Sequence, residues 1–131
     1  MSLKTTGAAL AILAAHQCAA QPVTVVWYHE MTNLAGEPLD PAQVYYELSR
    51  DGEWFSGLLK GLAGDPDNIG RTNTYHAVLA FPYNECHTYT IRAYDKSTQL
   101  YSVPSNPVEY CTDDIPADLL APTPVLELEL R

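Results

Sequence analysis

The stretch 84–95, NECHTYTIRAYD, decides the fold. From Thr88 to Tyr94 the residues alternate, with Tyr89, Ile91 and Ala93 on one side and Thr88, Thr90, Arg92 and Tyr94 on the other, the pattern of a strand with one dry face. A phenol placed near the start of such a strand, on its dry side, needs a hydrogen-bond partner. In immunoglobulin-like sandwiches a tyrosine in this place reaches back to the backbone of the corner before it, which here is residues 81–85. Tyr89 is therefore expected to latch the crossover between two sheets.

Working outward, 99–111 (QLYSVPSNPVEYC) is the return strand of a hairpin with 87–95. Centring the turn between Ser97 and Gln99 brings Cys86 opposite Cys111, near the Cα separation of a bridge. Pro104 and Pro107 cannot donate to a ladder, so this strand should be an edge or carry a bulge. Upstream, 22–30 is a strand with Val23, Val25 and Trp27 on one face, and 43–49 is another with Val44, Tyr46 and Leu48. Asp51-Gly52 reads as a tight turn. Residues 54–73 are irregular and are expected to cross over, and 74–81 (TYHAVLAF) is a further strand. Short strands separated by turn signals, with no amphipathic segment of helical length, predict an all-β, immunoglobulin-like antiparallel sandwich of about seven strands over 21–112, with Trp27 and Tyr89 in its core.

The first twenty residues, MSLKTTGAALAILAAHQCAA, hold one Lys, an apolar run and small residues, and none of the sixteen acids. That is the layout of a secretory signal peptide with cleavage after Ala20, too short in its apolar part to span a bilayer. The alternative is an N-terminal assembly arm kept in the working protein. Removal of Cys18 with the leader leaves Cys86 and Cys111, an even pair that in an exported domain implies a disulfide. A net charge of −9 argues against nucleic acid and against anionic membrane surfaces as partners, and no segment calls for membrane insertion.

Three stretches together resemble a fibronectin type III domain of the kind found in bacterial secreted proteins and phage virions. VTVVWYHEMTNLAGEPLDPAQVYYELSRDG is similar to that family's strand B tryptophan, Gly-x-Pro-Leu loop and tyrosine-rich strand C. YTIRAYD is similar to its strand F, and YSVPSNPVEY to its strand G. The resemblance implies a binding or assembly domain without catalysis. Two departures stand out. FPYNECHTY replaces the family's usual Leu-x-Pro approach to the corner tyrosine, and cleavage after Ala20 would leave only Gln21 and Pro22 where a strand A of about ten residues belongs.

The chain ends in a Pro- and Asp-rich linker and then VLELELR, in which Val125, Glu127 and Glu129 alternate with Leu126, Leu128 and Leu130. A lone alternating segment has nothing to pair with, so 125–130 is expected to add as a strand to an exposed sheet edge, its own or a neighbouring subunit's. No Gly-x-Ser-x-Gly, His-Glu-x-x-His or phosphate loop is present, and no enzyme, cofactor or metal is expected. Asp65, Asp67 and Asn68 hint at calcium but fit an ordinary Asp/Gly turn better, and His29, His76 and His87 are scattered over strand ends. Tyr45, Arg92 and Tyr94, outward on neighbouring strands, have the composition of interface anchors. The expected function is an exported, non-catalytic interaction or assembly module with a protein partner or a second copy. The alternatives are a virion decoration or tail component and a glycan-binding accessory domain.

Overall fold

The computed structural model describes residues 20–131. The leader reading, with Cys18, lies outside the described residues. Two antiparallel sheets face each other. The first runs β1 (Gln21–Tyr28), β5 (Thr74–Phe81), β4 (Leu62–Ala63). The second runs β3 (Glu53–Trp54), β2 (Val44–Arg50), β6 (Cys86–Asp95), with β6 paired further to both β7 (Leu100–Tyr101) and β8 (Val108–Cys111). The only helical pieces among the described residues are single 3-10 turns at Pro41–Gln43 and Ala117–Leu120, so none is long and apolar enough to cross a membrane.

The alternation of the sequence is the alternation of burial. Val23 and Trp27 of β1, Val44, Tyr46 and Leu48 of β2, Phe81 of β5 and Tyr89 of β6 are all buried. They form two clusters, one around Tyr89, Phe81, Val23 and Leu48 and one around Trp27, Val44 and Tyr46. Val25 and Ile91 pack against both clusters, so Trp27 and Tyr89 belong to one continuous core. Trp27 sits between Tyr46, at 4.8 Å between ring centroids, and Tyr75, at 6.4 Å. Its Nε1 is buried without a hydrogen-bond partner, and the neighbouring Tyr46 hydroxyl lies 2.7 Å from His29 Nδ1. Burial pushes the Tyr46 phenol up to about 12.

The turn between β2 and β3 is Asp51-Gly52, both at positive φ (52° and 82°), as a two-residue hairpin of this twist requires. The irregular stretch after it crosses between the sheets in two steps. Leu59 exchanges both backbone hydrogen bonds with Tyr46, and β4 then joins β5. Gly61 lies on this path against the indole. A Cβ there would stand 2.5 Å from Trp27 Cζ2 and 2.9 Å from Tyr75 Cβ.

The run 99–111 does not form one strand. β7 and β8 are separated by 102–107, and the register shifts by two residues between the Tyr94–Tyr101 pair and the Cys86–Cys111 pair. The two prolines interrupt the ladder, and serines on either side restore it. Ser102 N–H donates to Ala93 C=O while its hydroxyl accepts from Ala93 N–H, and Ser105 does the same with Ile91. The shift brings Cys111 opposite Cys86, and the disulfide forms there with Cα atoms 4.0 Å apart.

Candidate functional site

The corner before β6 is held differently from the expectation. Tyr89 is buried, but no hydrogen bond joins its hydroxyl to the backbone of 81–85. Its ring stacks on Phe81 at 4.8 Å and meets Phe55 edge-on at 5.7 Å. Burial raises the phenol's pKa, and the nearby Arg50 guanidinium opposes the rise. The corner's hydrogen bonds come instead from Thr112. Its hydroxyl donates to Pro82 C=O at 2.6 Å and accepts from Glu85 N–H at 3.1 Å. An aromatic stack and a threonine next to the disulfide therefore do the work assigned to the phenol.

On the outer face of the β2–β6–β7 sheet, Tyr45 stands opposite Tyr94 and Glu47 opposite Arg92. The structure brings the expected trio together and adds Tyr101, opposite Tyr94 on β7, which the sequence reading missed. Tyr94 and Tyr101 lie 4.6 Å apart, and the Arg92 guanidinium sits 3.7 Å over the Tyr101 ring. Arg92 is also bound to the buried Glu47 carboxylate, through Nη2 at 2.8 Å and Nε at 3.0 Å. Lys60 Nζ covers the Tyr45 ring at 4.6 Å. Charge and ring are thus already matched within the sheet, and one face each of Tyr45 and Tyr101 carries a cation.

The histidines among the described residues are spoken for. His76 Nδ1 lies 2.8 Å from Gly64 C=O. His87 has both ring nitrogens on carboxylates, Nδ1 on Asp51 at 2.5 Å and Nε2 on Glu85 at 2.6 Å. Those hydrogen bonds, Glu85 first and Asp51 second, raise the His87 pKa, and the Thr88 N–H leads the causes that lower that of Asp51. With both nitrogens occupied, His87 has no free lone pair for a substrate. Asp65 accepts from Asp67 N–H and pairs with Arg71 at 3.2 Å, the turn rather than the calcium arrangement. Among the described residues no group of three or more His, Cys, Asp or Glu could hold a metal ion.

The feature with an unfilled requirement is the open side of the sandwich. β1 pairs with β5 along its whole length and, among the described residues, with no strand on its other edge. The His29 N–H to Asn73 C=O bond fixes the phase of that ladder. Odd-numbered residues of β1 therefore bond to β5, and the N–H groups of Thr24, Val26 and Tyr28 point off the free edge. Pro22 occupies an outward position, where the missing N–H costs no bond to β5. β8, at the matching edge of the other sheet, also has no further strand partner among the described residues. Between them lies a groove of about 580 Å³, lined by Val25, Trp27, Ile91, Val108 and Tyr110 among others. Val108 and Tyr110 face inward by register, opposite Tyr89 and His87, yet are 53% and 37% exposed, with no strand among the described residues over them. In sequence this side was signalled only by the expectation that cleavage after Ala20 leaves two residues for a first strand.

The added strand expected at 125–130 is not formed. Residues 121–131 are in no strand, and Val125, Leu126, Leu128 and Leu130 are exposed, Leu130 to 90%. An alternating segment without a partner edge has no ladder to make it a strand.

No family model, no curated protein and no solved structure matches the chain.

Proposed function

We propose that this protein is a non-catalytic, exported interaction and assembly module with a fibronectin type III-like sandwich, and that it engages its partner by accepting a strand at the open side. The observation that carries this is the free edge of β1 lying beside an apolar groove whose wall residues Val108 and Tyr110 face inward but are uncovered. Edge strands are ordinarily blunted by charge, proline or a cover, and β1 presents three N–H donors in a row with only Pro22 at its start. Strand addition satisfies such an edge through main-chain hydrogen bonds and uses side-chain pockets for selectivity. Export is supported by the disulfide and by the composition of residues 1–20. The glycan alternative is weakened by the cations already lying over Tyr45 and Tyr101.

Thr24→Pro tests the reading. It removes one outward N–H and leaves the bonds to β5 intact, as Pro22 already does. Light scattering of the full chain should give a mass above the monomer, reduced to the monomer in Thr24→Pro with its melting curve still cooperative. A multimer indifferent to Thr24→Pro would refute the open edge as the interaction site.

A further inference from the structure

We infer that the strand accepted at the open side is the C-terminal segment 125–130 of a second copy, paired along β1 with Leu126, Leu128 and Leu130 in the groove. The inference rests on the proposed function and names its partner.

The fit is one of length, period and polarity. β1 offers eight residues, of which Thr24, Val26 and Tyr28 supply outward donors. VLELELR is seven residues, about 23 Å as a strand, and covers that edge. Its three leucines recur every second residue, so all three enter the groove on one face and meet Val25, Trp27, Val108 and Tyr110. Val125, Glu127 and Glu129 then fall on the opposite face, toward solvent. Both halves are exposed apolar surface in the single chain: Leu128 is 80% exposed and Val108 53%. Joining them removes both.

The antiparallel donor comes from another copy because the chain's own tail is badly placed for that direction. Residues 113–115 are tied to the start of β1, through Asp113 N–H to Gln21 Oε1 at 2.8 Å and Ile115 N–H to Asn84 Oδ1. Antiparallel pairing in cis would require the tail to enter at the Tyr28 end. Residues 116–124 include the 3-10 turn Ala117–Leu120, and at full stretch reach only about 25 Å, which leaves nothing for the turn back. Pro116, Pro122 and Pro124 stiffen the same arm. A second copy meets no such limit, and two copies exchanging tails would form a closed pair.

The test uses the full chain with Leu126→Ser, Leu128→Ser and Leu130→Ser together, which lie outside the sandwich and spare its core. Light scattering across a concentration series should give a multimer for the unaltered chain and a monomer for the triple variant. The synthetic peptide TPVLELELR, residues 123–131, should bind the triple variant at one equivalent and should not bind the triple variant that also carries Thr24→Pro. A multimer that survives the triple substitution but not Thr24→Pro would overturn the tail as donor while leaving strand acceptance standing. A multimer that survives both would overturn the two together. A monomer whose melting temperature falls in the triple variant would assign the groove to the chain's own tail and overturn exchange.

Discussion

The Cys86–Cys111 bridge gives the prediction whose magnitude follows most directly from the structure. It closes a loop with a sequence separation of 25. In the chain-entropy account, removing that link frees the unfolded chain by about 3.5 kcal/mol at 25 °C. A domain of this size holds roughly 5–15 kcal/mol in all, and each kcal/mol moves the midpoint by roughly 4–8 °C, so Cys86→Ser with Cys111→Ser should lower the melting temperature by about 15–25 °C. The folded arrangement gives no reason for a larger loss. β6 and β8 stay joined by their ladder, and Thr112 still ties the corner beside it. Urea denaturation of the double variant should also show a steeper slope, since an uncrosslinked chain exposes more surface on unfolding. Both cysteines are exposed, so dithiothreitol should produce the same shift in the unaltered protein without prior unfolding. A loss under about 1 kcal/mol with an unchanged slope would refute the claim that the bridge closes this loop in the folded state.

Gly61→Ala places a methyl against Trp27 and Tyr75, and should destabilise by about 1–3 kcal/mol or more in urea titration, whereas Gly57→Ala, with open space around it, should cost no more than a few tenths. His87, its pKa raised by Glu85 and Asp51, contributes stability that is fully present below pH 6.5 and is lost as pH rises through its folded value; Asp51, its pKa lowered, contributes stability present above pH 3.8 and lost as pH falls through its folded value. Melting temperature followed from pH 5 to 9 should therefore decline as pH rises above 6.5 in the unaltered protein and stay flatter in His87→Gln. With a net charge of −9 on each copy, exchange of an apolar strand should be opposed by repulsion, so raising salt from 20 to 300 mM should strengthen association in light scattering rather than weaken it.

The main strands were legible because each is half buried. Val23 to Trp27, Val44 to Leu48 and Tyr89 to Ala93 carry the period of two that a sheet with one dry face imposes. The expected pairing of Cys86 with Cys111 holds although the turn itself pairs Tyr94 with Tyr101, because the register shifts by two residues across 102–107. The crossover at 54–63 was legible only as a crossover. β3 and β4 are two residues each, and what makes them strands is the neighbour they meet rather than their own pattern. Phe55, which packs on Phe81 and Tyr89, was hidden for the same reason. The direction of a hydroxyl is not a property of spacing, and so the Tyr89 latch was misassigned while Thr112 went unnoticed. On the outer face, composition identified Tyr45, Arg92 and Tyr94, but that Arg92 is committed to Glu47 and Tyr101 depends on three strands meeting. The tail's alternation was plain in sequence, and it remains outside any sheet because a strand exists only with a partner.

Amide hydrogen exchange along β1, compared between the unaltered chain and the triple leucine variant, tests the open-sided sandwich and its donor strand most directly. The account predicts slow exchange at Val23, Val25 and Trp27 in both proteins, and at Thr24, Val26 and Tyr28 slow exchange in the unaltered assembly that becomes fast in the variant. Equal protection of Thr24, Val26 and Tyr28 in the two proteins would contradict it.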